Sequence, residues 1–277
     1  MRFDKLRQGK ESLLVNLDDA ELPEAVYNSN AIENSTLTLR ETEKILLQQE
    51  VGRDVTTREV FEAKNLALVA EYIRDRALRA NLSKDTILLL HKMLMTNIAD
   101  HAGRFRSEGE YVRIGTHVAP DPEKAARMLD QALVEYSSDV NSFFLEKIAL
   151  FHLMFEYVHP FNDGNGRIGR VLINWQLRRL GFPQVIVRDK DKELYYGAFQ
   201  SFQDLGGRGP TDLMDRVLAL ALTESLHKRL AYLESKSVIT LSEYAKREKK
   251  TASAVSNAAR RQTIPAFREK GVWKIGV

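Results

Sequence analysis

A stretch of twelve residues from His159 to Arg170, His-Pro-Phe-Asn-Asp-Gly-Asn-Gly-Arg-Ile-Gly-Arg, joins two helical patterns. Before it, apolar residues recur at helical spacing as far as Pro160, which predicts a buried helix that ends at His159. After it, a helical pattern resumes at Arg167, and its apolar face comprises Ile168, Val171, Leu172 and Trp175. The chain must therefore pack two helices around one short polar loop.

The loop between these helices has the composition of an anion-binding turn. We expect Gly164, Asn165 and Gly166 to adopt positive φ, so that consecutive backbone N–H groups point at one place. The second helix directs its positive N-terminal end at the same place, where Arg167 and Arg170 add paired donors. These residues predict a site for a polyphosphate.

A base and a metal ligand complete the set. His159 stands at the end of the first helix, and Asp163 is placed to hold Mg²⁺ against the same phosphates. Each feature alone also has a structural interpretation, because histidines favour helix C-termini and Gly-Asn-Gly turns often only connect two elements. Their ordered combination indicates chemistry on a phosphate compound.

The stretch from His159 to Arg170 resembles the Fic family pattern His-Pro-Phe-x-Asp/Glu-Gly-Asn-Gly-Arg-x-x-Arg at every specified position. The resemblance implies a protein adenylyltransferase, which transfers AMP from ATP to a Ser, Thr or Tyr hydroxyl of a target protein or of itself and releases pyrophosphate. It implies His159 as the catalytic base, Asp163 as the Mg²⁺ ligand and Arg170 as the γ-phosphate ligand. The ATP-binding residues that it implies here are Asp163, Gly164, Asn165, Gly166, Arg167, Ile168, Gly169 and Arg170.

A second segment resembles the inhibitory motif of the same family, Ser/Thr-x-x-x-Glu-Gly/Asn. It reads Ser29-Asn-Ala-Ile-Glu33-Asn34 and lies in a helix predicted to begin at Pro23 and to stop at Asn34. By its composition alone this segment is the polar end of a helix. The resemblance implies that Glu33 restrains the enzyme by taking Arg170 when no γ-phosphate is bound.

Two other segments are implied to contact the nucleotide. The β-branched alternation from Tyr111 to Pro120 predicts a short hairpin, which in the family is a flap that binds the target's extended backbone by strand addition. In the helix predicted from Asp191 to Leu205, the family has a Tyr and a later Asn where this chain has Tyr195 and Gln203, although tyrosine pairs on helices commonly lie in the core. The flap residues implied to border ATP are Ile114, Gly115, Thr116 and His117.

The composition is that of an ordinary soluble protein. Its 277 residues are 44% hydrophobic and 29% charged, which is enough for a large core in one or two domains. The absence of cysteine excludes disulfides and thiol chemistry and fits a reducing compartment. The N-terminus lacks the apolar core of a signal peptide and no apolar run has membrane-spanning length, so we expect a cytoplasmic protein without a membrane partner.

The charge is unevenly distributed. Residues 236–277 contain ten Lys or Arg and three Asp or Glu, whereas the rest of the chain is slightly acidic. Two short helices and a hairpin around Lys270-Gly271 are predicted there, and together they resemble a small winged helix-turn-helix. We therefore expect a mainly α fold, a Fic-type helical bundle with a hairpin flap, divided into an N-terminal inhibitory region (1–80), a catalytic core (81–235) and a winged-helix-like module (236–277).

Three alternatives remain open at this stage. The basic module favours a DNA-binding regulator in which the Fic part is only a nucleotide sensor. The catalytic core is also compatible with removal of AMP or with transfer of another phosphate-containing group. Many Fic proteins form dimers, so a homodimer is an expected alternative to a monomer.

Overall fold

The structure, a computed structural model, describes residues 2–277. Among these residues no helix is both long and apolar enough to cross a membrane. Its irregular helical turns are a π-helical turn, Lys44–Gln48, and a 3₁₀ turn, Asp189–Asp191. The helices are α1 (Arg2–Leu6), α2 (Glu11–Ile32), α3 (Leu39–Glu43), α4 (Thr57–Arg76), α5 (Lys84–Met95), α6 (Pro122–Ser138), α7 (Phe144–Val158), α8 (Asn165–Arg179), α9 (Lys192–Gln203), α10 (Asp212–Glu234), α11 (Leu241–Arg247) and α12 (Ala252–Arg260). The strands are β1 (Arg113–Ile114), β2 (His117–Val118), β3 (Val238–Thr240), β4 (Ala266–Glu269) and β5 (Val272–Gly276).

Helices α7 and α8, which flank the polar loop, form the centre of the molecule. Both pack against a core that also takes apolar side chains from α4, α5 and α6. Phe161, inside the loop, is fully buried and stacks on His91 of α5 with ring centroids 3.6 Å apart. The predicted pair of helices around one loop is confirmed. The stack of Phe161 on His91 packs the loop against α5.

Helix α2 is longer than predicted. Its start was predicted at Pro23, but it begins at Glu11 and contains Pro23 in its interior. Proline removes one helical hydrogen bond, yet Asp18 and Glu24 of the same helix form ion pairs with Arg229 and Arg188. These tertiary contacts outweigh the local loss. The predicted stop is confirmed, because Asn34 has φ 65°.

The hairpin predicted from Tyr111 to Pro120 is confirmed. Strands β1 and β2 pair antiparallel, with Ile114 opposite His117. Gly115 has φ 58°, which a glycine adopts without strain. The tip of the hairpin at Gly115 and Thr116 is exposed.

The C-terminal module has the two predicted helices, α11 and α12, and the predicted hairpin β4–β5. Strand β3 was not predicted, and it completes an antiparallel sheet of order β3-β5-β4. The module has its own small apolar core, which includes Val255, Ala259, Ala266 and Ile275. Its assignment as a winged helix-turn-helix stays a prediction.

Buried charges attach this module to the rest of the chain. Arg188 donates to Glu24 of α2 (2.5 Å) and to Glu224 of α10 (2.9 Å), and Arg268 of β4 also donates to Glu224 (2.8 Å). At the β4–β5 turn the backbone N–H of Lys270 donates to Glu24 (2.9 Å). The side chains of Glu24, Arg188 and Glu224 are each less than a tenth exposed. The turn of the C-terminal hairpin is thus bonded to helix α2.

Candidate active site

The predicted base, His159, caps the C-terminus of α7. Its backbone adopts the left-handed conformation (φ 46°), and its N–H still donates to the carbonyl of Phe155 at 3.0 Å. The ring nitrogen Nδ1 lies 2.6 Å from the carbonyl oxygen of Glu156. Because a carbonyl only accepts, Nδ1 carries the hydrogen and Nε2 keeps a free lone pair. The fold therefore selects the tautomer in which Nε2 is basic.

Burial determines the charge of this histidine. Loss of solvation lowers the pKa of His159 to about 4, despite the opposing hydrogen bond to the Glu156 carbonyl. The imidazole is consequently neutral at physiological pH and able to accept a proton. The Glu156 carboxyl is also buried, and burial together with the nearby charge of Glu33 raises its pKa to about 8.

The anion-binding turn differs in detail from the prediction. Gly164 has the expected positive φ (82°), but the prediction for Asn165 and Gly166 is wrong, because α8 already begins at Asn165. The Asn165 side chain instead closes the loop, accepting from the N–H of Phe161 (2.9 Å) and donating to its carbonyl (2.8 Å). The free N–H groups come from the first turn of α8, which is also an anion-binding arrangement.

Ile168 and Gly169 point elsewhere. The N–H of Ile168 donates to the carbonyl of Gly164 at 3.0 Å, and its side chain is fully buried in the core. Gly169 faces α7 so closely that a Cβ there would overlap Oε1 of Glu156 and the ring of His152. Neither residue offers a free donor to the phosphate site. Their place is in the packing of α8 on α7.

Arg170 is buried and held by helix α2. Its Nη2 donates to Oε1 of Glu33 (2.8 Å) and to the carbonyl of Ser29 (2.8 Å), and its Nε donates to the Ser29 hydroxyl (2.9 Å). Although burial lowers its pKa, the charge of Glu33 outweighs this and raises the pKa of Arg170. The Glu33 carboxylate also lies over the first turn of α8, since a Cβ on Gly166 would overlap its Oε1. The structure thus brings Ser29, Glu33 and Arg170 together as predicted.

Asp163 lies at the opposite end of the turn. Its Oδ1 accepts from the N–H of Gly164 (2.6 Å) and from Arg167 (3.2 Å), and its Oδ2 accepts from Arg58 (2.6 Å). Burial raises the pKa of Asp163, but the charge of Arg167 and the hydrogen bonds from Arg58 and Gly164 outweigh it and lower the pKa. Asp163 is therefore ionised near neutral pH.

The surroundings of Asp163 fit Mg²⁺ bound together with phosphates. Within residues 2–277 no group of three or more His, Cys, Asp or Glu side chains is arranged to hold a metal ion. Magnesium is commonly held by one or two carboxylates plus phosphate oxygens and water rather than by a cage of protein ligands. A single ionised carboxylate, partly exposed and beside a helix N-terminus, meets that description.

The implied adenine contacts lie on α9. Tyr195 is 1% exposed, and its hydroxyl lies 2.8 Å from Nε2 of His152, so its ring belongs to the core. Tyr196 is 45% exposed and donates its hydroxyl to the carbonyl of Ile32 at the end of α2 (2.7 Å). Gln203 is the last residue of α9 and is half-buried. Tyr196, rather than Tyr195, therefore has an exposed ring.

Sequence reasoning missed three charged residues of the site. Arg58 and Glu62 of α4 reach Asp163 and Arg167 across more than a hundred positions, and no local pattern links them. Glu156 was detectable, because it is a carboxylate three residues before His159 in the mainly apolar second half of its helix. Its Oε2 lies 3.6 Å from Nδ1 of His159, and its Oε1 has no hydrogen-bond partner in the part of the chain that the structure describes.

Known proteins of one family resemble this chain. The family model described as the Fic/DOC family matches residues 81–177. Protein adenylyltransferase Fic of Nematostella vectensis is 33% identical over 177 residues, covering 62% of this chain and 41% of that protein. The protein of the same name from Drosophila melanogaster is 30% identical over 258 residues, covering 89% of this chain and 50% of that protein. The chain thus spans half the length, or less, of these curated relatives.

Solved structures share the fold. Fic-1 from C. elegans is 25% identical with a TM-score of 0.68, and the match covers 83% of this chain and 69% of that one. A Fic domain containing signaling protein from Bacteroides thetaiotaomicron is 22% identical with a TM-score of 0.69, covering 91% and 99%. The mainly helical fold predicted from the sequence is thereby confirmed. The family model and the shared fold together identify residues 81–177 as a Fic/DOC domain.

Proposed function

We propose that this protein transfers AMP from ATP to a hydroxyl group of a protein. The observation that carries the proposal is the state of His159, a neutral imidazole with Nδ1 bonded to a carbonyl and Nε2 free, next to the N-terminus of α8. A hydroxyl becomes a competent nucleophile when such a base takes its proton. The curated relatives named protein adenylyltransferase support the same reaction.

In the proposed reaction the hydroxyl oxygen attacks the α-phosphorus of ATP. The bond from that phosphorus to the oxygen bridging to the β-phosphorus breaks, pyrophosphate leaves, and the hydroxyl proton moves to Nε2 of His159. The N–H groups of the first turn of α8, with Arg167 and Arg170, bind the phosphates and align them for attack. Magnesium, held by Asp163, would neutralise part of the phosphate charge.

We further propose that Glu33 restrains this reaction. Its carboxylate pairs with Arg170 and lies over Gly166. Both residues would otherwise be available to bind a terminal phosphate. ATP that binds beside Glu33 must place its γ-phosphate elsewhere, which turns the α-phosphorus away from in-line attack. Small displacements of this kind reduce phosphoryl-transfer rates by large factors.

Two labelled forms of ATP test the reaction. After incubation with cell extract, the protein is expected to raise α-phosphate label in protein above that of extract alone, and to leave γ-phosphate label at the level of extract alone. His159→Ala is expected to abolish the transfer and leave ATP binding within about twofold, because the phosphates are held by other residues. Mass spectrometry of modified peptides would identify the target and the residue. Equal incorporation of α-label by the His159→Ala protein contradicts the assignment of the base.

The flap is the proposed docking site for the target protein. Strands β1 and β2 are short and exposed at their tip, and His117 is anchored by a hydrogen bond to the carbonyl of Tyr157 (2.9 Å). An extended segment of the target can add to such an edge through main-chain hydrogen bonds, which depend little on sequence.

The absence of cysteine is the reason for proposing a cytoplasmic setting.

DNA binding by the C-terminal module is a second candidate function. Basic residues on and beside α11 and α12 are exposed and form no ion pair within residues 2–277; they are Lys246, Arg247, Lys249, Lys250, Arg260 and Arg261. Phosphate backbones select clusters of this kind. In the intact chain, Arg260→Gln/Arg261→Gln is expected to weaken binding of duplex DNA and flatten its salt dependence. The same change at two exposed arginines of the N-terminal region, Arg76 and Arg79, is the control.

A further inference from the structure

Arg58, in the first turn of α4, is not among the residues that the family pattern assigns to the site. Its Nη2 lies 2.6 Å from Oδ2 of Asp163, and its Nε lies 3.0 Å from Oε1 of Glu62. Arg167 pairs with the same two carboxylates, its Nη1 lying 3.1 Å from Oε1 of Glu62 and its Nη2 lying 3.2 Å from Oδ1 of Asp163. Two carboxylates and two guanidiniums therefore close a ring at the metal end of the phosphate site. We call these residues, Arg58, Glu62, Asp163 and Arg167, the four-residue ring.

The position of Arg58 is fixed by the start of its helix. Thr56 and Glu59 form a capping box, and Glu59 also accepts from the backbone N–H and hydroxyl of Thr36. The first turn of α4 is thus tied to the segment that follows the inhibitory motif. This places the Arg58 guanidinium beside Oδ2 of Asp163.

Both oxygens of Asp163 are engaged in this arrangement. Oδ1 accepts from the N–H of Gly164 and from Arg167, and Oδ2 accepts from Arg58. A divalent cation on the same carboxylate would repel a guanidinium at hydrogen-bond distance. The Arg167 side chain is 4% exposed, but that of Arg58 is 55% exposed. Arg58 is therefore the cation that can leave into water.

We propose that Arg58 competes with Mg²⁺ for Asp163 and so sets the Mg²⁺ concentration at which the nucleotide site fills. The inference rests on the proposed function for its choice of nucleotide and metal. Together with Glu33 it gives the resting site an ion pair at each end. Glu33 pairs with Arg170, which would otherwise bind the γ-phosphate. Arg58 pairs with Asp163, which would otherwise bind the metal.

An opposite role for Arg58 predicts opposite results. If Arg58 were instead a phosphate ligand, removing it would weaken nucleotide binding at every Mg²⁺ concentration. If it competes with Mg²⁺, removing it lowers the Mg²⁺ requirement. An exposed ion pair contributes little, so the expected change is about two- to fivefold.

The test measures binding and does not depend on turnover. Affinity for a non-hydrolysable ATP analogue is measured by isothermal titration calorimetry over a series of Mg²⁺ concentrations. In Arg58→Gln the half-saturating Mg²⁺ concentration is expected to fall about two- to fivefold. Arg76→Gln removes the same charge from the other end of α4 and is expected to leave it unchanged. Thermal unfolding of each variant checks that the fold is retained.

Arg58→Lys separates charge from geometry. Lysine keeps the charge but lacks the planar fork whose Nε reaches Glu62 and whose Nη2 reaches Asp163, so its shift is expected to lie between wild type and Arg58→Gln. An unchanged or raised Mg²⁺ requirement in Arg58→Gln, or an equal shift in Arg76→Gln, overturns the inference. Failure of the proposed function appears separately, as absence of label from the α-phosphate in a protein that binds the nucleotide normally.

Discussion

Gly166 and Glu33 are the two residues at which the resting contact can be measured most directly. A Cβ at position 166 overlaps the Glu33 carboxylate, which is the flexible end of a side chain and can move aside. Gly166→Ala is therefore expected to displace Glu33 from Arg170 and lower the free energy of unfolding by about 1 kcal/mol. In a Glu33→Gly background there is nothing to displace, so the loss is expected to disappear.

Urea unfolding of the two single variants and the double variant gives the coupling between these positions. A coupling free energy of about 1 kcal/mol is expected for residues in contact. Additive effects would mean that Glu33 does not lie over Gly166 in solution. Circular dichroism of each variant is the control for intact helices.

Some contacts of these site residues were predictable from the sequence and others were not, for an identifiable reason. Arg170 and Glu33 were paired in advance because each belongs to a motif with a charge that needs a partner. Arg58 belongs to no motif, and its partner Asp163 is 105 positions away. Long-range ion pairs between isolated charges leave no periodic signal, so only the fold reveals them.

Among the elements, α2 connects the inhibitory motif to the rest of the chain. Glu33→Gly is expected to raise AMP transfer, including self-modification, by tenfold or more, on the order of what misalignment costs. ATP affinity is expected to rise less, because the adenine and the other phosphates are already bound. Measuring transfer rate and ATP affinity in wild type and variant separates the two effects. Equal transfer rates in wild type and variant would mean that the segment from Ser29 to Asn34 is only the end of a helix and does not restrain the enzyme.

The bounds of the elements show where local reasoning is sufficient. The ends of α7 and α2 were predicted because Pro160 and Asn34 act on their own neighbours. The start of α2 was predicted wrongly at Pro23, since its continuation depends on arginines of the loop after α8 and of α10. Strand β3 is only three residues long and exists through its pairing with β5. Both errors arise from contacts distant in sequence.

Within residues 2–277, three histidines are fully or largely buried in neutral form. Burial lowers the pKa of His91 and His159 to about 4 and that of His152 to about 3, from an ordinary value of 6.5. Between about pH 6.5 and 4 the unfolded chain therefore binds more protons than the folded one, and stability falls as pH falls. Glu156 opposes this, because its raised pKa keeps one proton on the folded protein above its ordinary value of 4.5.

The balance of these groups predicts the slope of stability against pH. Three histidines against one carboxyl leave a net difference of up to about two protons, or about 2.7 kcal/mol per pH unit. Urea unfolding at pH 5 and pH 6 is expected to show a loss of that order at the lower pH. Glu156→Gln removes the opposing contribution and is expected to steepen the slope. A flat profile would show that these histidines are solvated.

The C-terminal module is attached to helix α2 through Glu24. Glu24→Gln removes a carboxylate that accepts from Arg188 and from the backbone of the β4–β5 turn. The variant is expected to loosen the module and to raise basal AMP transfer, because Glu24 lies on α2 and Glu33 directly follows the end of that helix. Hydrogen exchange of residues 236–277 and transfer rate are measured together. Glu11→Gln, at the exposed start of α2, is the matched control.

The bond between Glu24 and the hairpin turn makes the two ends of the chain thermodynamically dependent on each other. Nine residues of helix, about 14 Å, separate this bond from the contact of Glu33 with Arg170. If a ligand of the C-terminal module pulls the turn from Glu24 and so weakens the hold of Glu33, occupation of the nucleotide site must favour that ligand by the same factor. A ligand bound to the C-terminal module would then be detectable as a change in nucleotide affinity, and bound nucleotide as a change in affinity for that ligand.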